Sequence, residues 1–501
     1  MKRYSFFSIL LILPFILASC DSWLDVTPED EIEEKDLFSS GEGFRNALNG
    51  IYKSLSESDL YGKELTWGLL DAMAQCYDNS KLLSAQSSGN LYRYRVPIYD
   101  YAHSDFTTVL EAIWSKAYNN VANANNIIQN IQYADEDMFE SKAREKAMIE
   151  GEAYALRAFI HFDLLRMFAP APTKNDQGTY IPYITEYPSI RAPKLSVDSC
   201  MTHVIQDLSR AQELVWKYDS SALQSRSGLM QLSQRLEGSG LGNDRFLRGR
   251  GYRMNYCAIT GMLARAYLYA GKYNEAYTEA LKIIKLQNSY SYFSYTTSSS
   301  YTANSFENGN TKAYNDIIVA FYSTKLSDWD KEMNDYMDAS NNLIYMMLRN
   351  VDEIFGADMG DDYRYKFQMQ SNNGNYRPIK YLGLNLSKNT VTINANLIPI
   401  MRMSEIYYIA SEALCNMEGK LDEAKSYLMA VKKGRNLRNT DLSSVTTGDQ
   451  LKDLIFQDAR RELWGEGQLF FWYKRWDKTI PGASFTKDKF VIPVPESEIK
   501  I

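Results

Sequence analysis

Two stretches of the chain repeat one plan, an apolar helical run, a glycine turn and a second helical run. In YCAITGMLARAYLYAGKYNEAYTEALKII (256–284), residues Leu263, Ala264, Tyr267, Gly271, Tyr273, Ala276 and Ala280 fall at the spacing of a helix-turn-helix pair. The small residues let the two helices approach and the glycine takes the turn. RMSEIYYIASEALCNMEGKLDEAKSYLMAVKKGR (402–435) repeats the plan around Glu418-Gly419-Lys420. Such a pair cannot bury its apolar faces alone, so further helices must stack against it.

The spacing is that of tetratricopeptide pairs, and helical periodicity recurs over 42–57, 106–132, 140–168, 197–218, 252–287, 400–436 and 449–466. The helices of 106–132, 140–168 and 197–218 are the expected partners of the two pairs. Between the helices, about 288–340 and 360–397 lack helical rhythm and are rich in Tyr, Ser, Asn and Gly. Loops this long in a folded chain are functional or disordered, and aromatic content argues against disorder. The pattern predicts a mainly all-α chain, a tetratricopeptide-like helix-pair scaffold with long loop-rich insertions carrying a few short strands.

At the N-terminus, Lys2 and Arg3 lead into an apolar run from Tyr4 to Ala18 that is interrupted by Pro14 and followed by small residues. This is the order of a secretory signal, too short for a membrane span of roughly 18 or more apolar residues. Leu17-Ala18-Ser19-Cys20 fits a bacterial lipobox, so Cys20 is expected to become the first residue, lipidated on its sulfur and acylated on its amine. Several acyl chains satisfy the requirement for stable anchoring. Asp21, Asp25, Glu29, Asp30, Glu31, Glu33 and Glu34 follow, a solvated tether before the fold begins near Asp36.

The net charge of -7 and the scattering of Lys and Arg argue against nucleic acid as a partner. Cys76, Cys200, Cys257 and Cys415 could pair in three ways, though Cys257 and Cys415 lie in apolar helical stretches that suit free buried thiols. His103, His161 and His203 lack ligand spacing with one another or with a cysteine, which argues against zinc. No cofactor is expected. GSGLG (238–242) has neither a preceding strand nor a following Lys-Ser/Thr and reads as a connector. Asp358, Asp361 and Asp362 in GADMGDDYRYKF lack the full grammar of a calcium loop and read as a solvated turn.

Four blocks resemble the SusD/RagB family, the nutrient-capturing outer-membrane lipoproteins of Bacteroidota. They are CDSWLDVTPEDE after Cys20, EGEAYALRAFIHFDLLRMFAPAP (150–172), the repeat at 402–435, and ARRELWGEGQLFFWYKRW (459–476) with FVIPVPESEI (490–499). Ala169 stands where the family more often has glycine. The resemblance divides the chain into a signal peptide (1–19), a lipidated tether (20–35), an N-terminal half (36–225) and a C-terminal half (226–501) whose loop-rich insertion spans about 288–397. It implies lipid anchoring at the outer face of the outer membrane and a SusC-like TonB-dependent transporter as partner. The signature blocks themselves read as architecture. Leu156, Phe159, Ile160, Phe162, Leu164, Leu165 and Phe168 cover nearly every helix face, so Arg157, Asp163 and Arg166 must be paired charges. Arg460, Arg461, Glu462 and Trp464 read as structural in the same way.

The 37 tyrosines gather in clusters. LYRYRVPIYDY holds Tyr92, Tyr94, Tyr99 and Tyr101; YSYFSYTTSSSY holds Tyr290, Tyr292, Tyr295 and Tyr301, with Trp329 beyond. Sugar rings stack their C–H faces on such rings while hydroxyls bond to nearby polar groups, so an aromatic platform on loops is a glycan grip; half-buried sheet surface is the alternative. The resemblance places the ligand on loops of the first hundred residues and of the central insertion, which adds Trp67, Asp71, Asp78 and Asn79. The expected site is therefore Trp67, Asp71, Asp78, Asn79, Tyr92, Tyr94, Tyr292, Tyr295 and Trp329, without catalytic or metal residues. The expected function is non-catalytic capture of an oligosaccharide or polysaccharide and its delivery to the transporter. A peptide-binding family member, a secreted glycoside hydrolase and a pure assembly scaffold are the alternatives.

Overall fold

In a computed structural model that describes residues 34–78, 91–189, 192–224, 246, 249–302, 310–326, 347–372, 374–381, 396–438, 440–482 and 485–498, both helix pairs form around their glycines. Gly271 (φ +73°) and Gly419 (φ +71°) take the left-handed conformation that a side chain would disfavour. They separate α5 (Tyr256–Tyr269) from α6 (Tyr273–Tyr290) and α7 (Met403–Cys415) from α8 (Leu421–Gly434). Before them come α1 (Gly41–Leu55), α2 (Ser104–Ile131), α3 (Lys142–Phe168) and α4 (Val197–Gln224); α9 (Gly448–Glu462) and α10 (Leu469–Arg475) follow. Each of α1 to α8 packs on the next in chain order, and α9 packs on α7. The chain is thus a mainly helical scaffold of stacked pairs.

α3 is the axis of the N-terminal helices. From Gly151 to Phe168 every residue but Tyr154 is buried, which leaves its charges no access to bulk water. Arg157 reaches Asp207 on α4, while Asp163 pairs with Arg166 and accepts from the Tyr61 hydroxyl at 2.7 Å. The paired-charge reading of this helix holds.

The strands form three two-stranded antiparallel sheets: β1 (Thr179–Pro182) with β2 (Lys194–Ser196), β3 (Ile317–Tyr322) with β6 (Leu397–Arg402), and the hairpin of β4 (Met369–Asn372) and β5 (Asn375–Pro378). β6 occupies residues that periodicity gave partly to a helix. Its LIPIMR run is buried at every position, and a short continuous apolar run does not distinguish strand from helix by period. The helix expected over 449–466 also stops early, at Glu462, because Gly465 (φ +78°) and Gly467 (φ +67°) break it.

A buried ionic cluster joins the insertion to the C-terminal helices. Glu462 accepts from Arg364 at 3.0 Å, from Ser404 Oγ at 2.9 Å and from Arg435. Asp316 bridges Arg402 and Arg435, and Glu466 bridges Arg402 and Lys380. Burial would raise the Glu462 carboxyl, but Arg435 and Arg364 hold it well below the usual carboxylate range. The expected solvated turn at 356–367 belongs to the same region and is corrected by it. Asp362 is fully buried against Arg364, Asp358 meets Arg461 at 2.7 Å and Asp361 meets Arg438 at 3.1 Å. Arginines take the oxygens a calcium ion would need. Cys76, Cys200, Cys257 and Cys415 are all free thiols.

Candidate functional site

The short helix Leu69–Met73 ends at Ala74, and Gln75 (φ +55°) turns the chain outward. The next three residues then pair with a segment of the central insertion. Tyr77 faces Leu348 in an antiparallel bridge; the Asp78 amide donates to Met347 O at 2.6 Å, and the Arg349 amide donates to Cys76 O at 2.8 Å. The Leu348 amide in turn donates to Tyr376 O at 2.8 Å, tying the bridge to β5. The chain therefore enters the 79–90 segment and leaves the 327–346 segment side by side. Regions distant in sequence thus meet at one point of the scaffold, the arrangement that binding surfaces use.

Behind this bridge lies a cavity of about 40 Å³, lined by Cys76, Arg349, Arg460, Trp464, Tyr473 and apolar neighbours. Arg349 donates from Nη1 to Pro481 O at 2.8 Å. Burial pushes the Cys76 thiol well up and the Tyr473 hydroxyl up to about 12, so both are neutral donors at ordinary pH. Sequence reasoning assigned Arg460 and Trp464 to the scaffold together with their neighbours. Successive helix positions are turned about 100° apart, so Arg460 does not share the Asp358 partner of Arg461.

The expected site residues separate into three groups. Asp78 is half-buried at the bridge; Asn79, the next residue, and Trp329, which follows Leu326 at the far end of the insertion segment, lie outside the described residues. Trp67, Asp71 and Tyr92 are core instead. Trp67 is 1% exposed and donates from Nε1 to Gly62 O at 3.0 Å. Asp71 is fully buried and accepts the amides of Gly467, at 3.1 Å, and Gly465. Tyr92 is buried with its hydroxyl on Glu64, and Tyr94 beside it is half-buried. Tyr99 and Tyr101 are buried as well, their hydroxyls donating to Met73 O and Lys489 O at 2.6 Å each. A backbone acceptor lets a tyrosine bury its whole ring, which is why ring content misled.

The second tyrosine cluster is corrected for the same reason. Tyr292 is buried and stacks on Tyr290, with ring centroids 5.4 Å apart. Tyr295 is half-buried under the Arg435 guanidinium, 4.8 Å from its ring centroid. Tyr301 is buried and stacks on Phe367 at 4.8 Å. Tyr295 and Tyr301 lie against the ionic cluster, and none of these rings forms an open platform.

Comparison with known proteins agrees with this architecture. A family model described as the SusD family matches residues 244–492, and one described as "Starch-binding associating with outer membrane" matches residues 22–227. The chain is 24% identical to SusD-like protein P2 of Formosa agariphila, over 95% of this chain and 90% of that protein. Its fold is similar to that of a SusD superfamily protein from Bacteroides thetaiotaomicron (TM-score 0.68, 21% identity, covering 92% of this chain and 98% of the other). It is also similar to a SusD-like carbohydrate binding protein from Bacteroides vulgatus (TM-score 0.64, 21% identity, covering 89% and 85%). With its two halves matched by models of one family and its helix-pair scaffold shared with that family's structures, the chain belongs to the SusD family.

Proposed function

We propose that this protein is a surface-anchored lipoprotein that captures an oligosaccharide or polysaccharide outside the cell and hands it to a SusC-like TonB-dependent transporter in the outer membrane. The observation that carries the reading is the Tyr77–Leu348 bridge. It brings Asp78 of the early region beside Met347 and Arg349 of the insertion, so that residues of the two regions can act on one ligand. The family model's description and the carbohydrate-binding relative point to the same ligand class.

Glu462 and Asp458 are held ionised by arginines against the effect of burial, so neither can supply a proton as a general acid. No resident cofactor enters the reading. Lipidation at Cys20 places the protein on the outer membrane without a spanning helix.

The partnership is tested by purifying the tagged lipoprotein from mildly solubilised outer membrane. A transporter barrel of the SusC type should co-purify in about equal amount. Recovery of the lipoprotein alone under conditions that keep other outer-membrane complexes intact would contradict the delivery role.

A further inference from the structure

The buried arginines of this protein follow one rule. Arg157 has Asp207, Arg166 has Asp163, Arg250 has Glu152 and Asp219, Arg265 has Glu405, Arg364 has Asp362, Arg402 has Asp316 and Glu466, and Arg435 has Glu462. Even Arg461, partly buried beside the cavity, has Asp358. The two arginines that line the cavity behind the bridge are half-buried and have no carboxylate partner among the described residues. Arg349 has a backbone carbonyl, Pro481 O, and no carboxylate. Arg460 has neither a hydrogen bond nor an ion pair among the described residues.

A third donor in the same wall is also unspent. Trp464 is 3% exposed, and its Nε1 is buried without an acceptor among the described residues. An unsatisfied buried N–H is costly, so its retention beside a guanidinium with no carboxylate partner asks for an acceptor. None of the described lining residues is Asp or Glu. Asp71, which acts on Cys76 from behind the wall, spends both oxygens on the amides of Gly465 and Gly467.

We propose that this cavity receives a carboxylate of the captured ligand, held by Arg460 and Arg349 with the Trp464 N–H, so that the substrate class is an acidic, uronate-bearing oligosaccharide. The inference rests on the glycan-capture reading above and deepens it. Size selects the group. A water needs about 10–15 Å³ of such space, so about 40 Å³ holds two or three heavy atoms' worth of ligand and no sugar ring. A carboxylate fits, and its planar pair of oxygens matches a guanidinium fork better than a tetrahedral sulfate ester does. Cys76 lines the cavity and also accepts the Arg349 amide within the bridge, so the sugar ring bearing the carboxylate would stay on the loop side.

The test uses matched ligands titrated into the full mature chain. Oligomers of galacturonate, glucuronate and mannuronate are compared with their carboxyl-reduced forms, with a neutral glucan and with a sulfated neutral glycan. At least one uronate oligomer should bind at least about tenfold more tightly than its reduced form. R460Q should lose a similar factor toward the acid form, and the two losses should not add, because each removes the same contact. R460K, which keeps the charge and loses the fork, should fall between, and an unchanged melting midpoint would show that the variants fold. Equal binding of acid and reduced forms, or additive losses, would overturn the proposal while leaving glycan capture intact. Preference for the sulfated glycan would overturn the carboxylate assignment. Failure of every glycan would overturn the capture reading together with this one.

Discussion

Arg157 on α3 and Asp207 on α4 form a two-pronged ion pair, with Nε to Oδ2 and Nη2 to Oδ1 both at 2.7 Å, and the Tyr183 hydroxyl closes on Oδ2 at 2.6 Å. The pair is buried, so its value to the fold lies in completeness. Replacing Asp207 by Ala should cost about 3–5 kcal/mol in urea unfolding, because the guanidinium is left buried and uncompensated. An apolar double replacement of Arg157 and Asp207 should cost clearly less than the single change. If the single variant unfolds at the wild-type urea midpoint, this pair does not hold α3 to α4.

The scaffold was legible because its rules are local. Apolar residues at helical spacing and two turn glycines sufficed for both repeat pairs, and an all-apolar helix face required that Arg157, Asp163 and Arg166 be paired. The site was less legible because its geometry is made by distant segments. Nothing in LYRYRVPIYDY says that the Tyr99 hydroxyl will find Met73 O, so a buried tyrosine and a sugar platform look alike in sequence. Asp71 shows the same limit: its partners are the amides of Gly465 and Gly467, supplied by chain almost four hundred residues away. What the residue types do carry is the requirement for a partner, and the buried arginines among the described residues all fulfil it.

Asp71 should make stability depend on pH with a definite sign. Burial raises its carboxyl from 3.8 to about 7, although the two glycine amides and Lys380 pull the other way. Between these values the folded chain keeps a proton that the unfolded chain has shed, so this group's contribution to stability falls as pH rises from about 4 to 7. The total is on the order of 4 kcal/mol. Asp71→Asn removes the titration. The stability of wild type minus that of the variant should be flat below about pH 4 and decline to about pH 7. A flat difference across the whole range would remove the raised carboxyl.

Tyr295 and Trp329 should respond in opposite ways to truncation. Tyr295 lies between Arg435 and the backbone of Gly434, so Tyr295→Ala should lower stability by about 3–5 kcal/mol, read as a shifted urea midpoint. Trp329→Ala, by the proposed role of its loop, should weaken glycan binding by about tenfold or more with little change in melting. Reversal of the two phenotypes would return the ligand to the tyrosine cluster.

Cys20→Ala should release the protein from membranes into the soluble fraction and abolish labelling by a fatty-acid probe, since the anchor is proposed to be the lipid alone. Continued membrane association with undiminished labelling would place the anchor elsewhere.

The central claim, capture without cleavage at the surface around the Tyr77–Leu348 bridge, is tested most directly by calorimetric titration. The chain lacking residues 1–20 is titrated with a panel of soluble oligosaccharides and polysaccharides, and the same mixtures are then assayed for new reducing ends. The account predicts saturable binding of at least one glycan with Kd on the order of micromolar to millimolar, about 4 to 8 kcal/mol, and no product over days. Accumulating oligosaccharide products, or binding of peptides with no glycan bound at all, would contradict it.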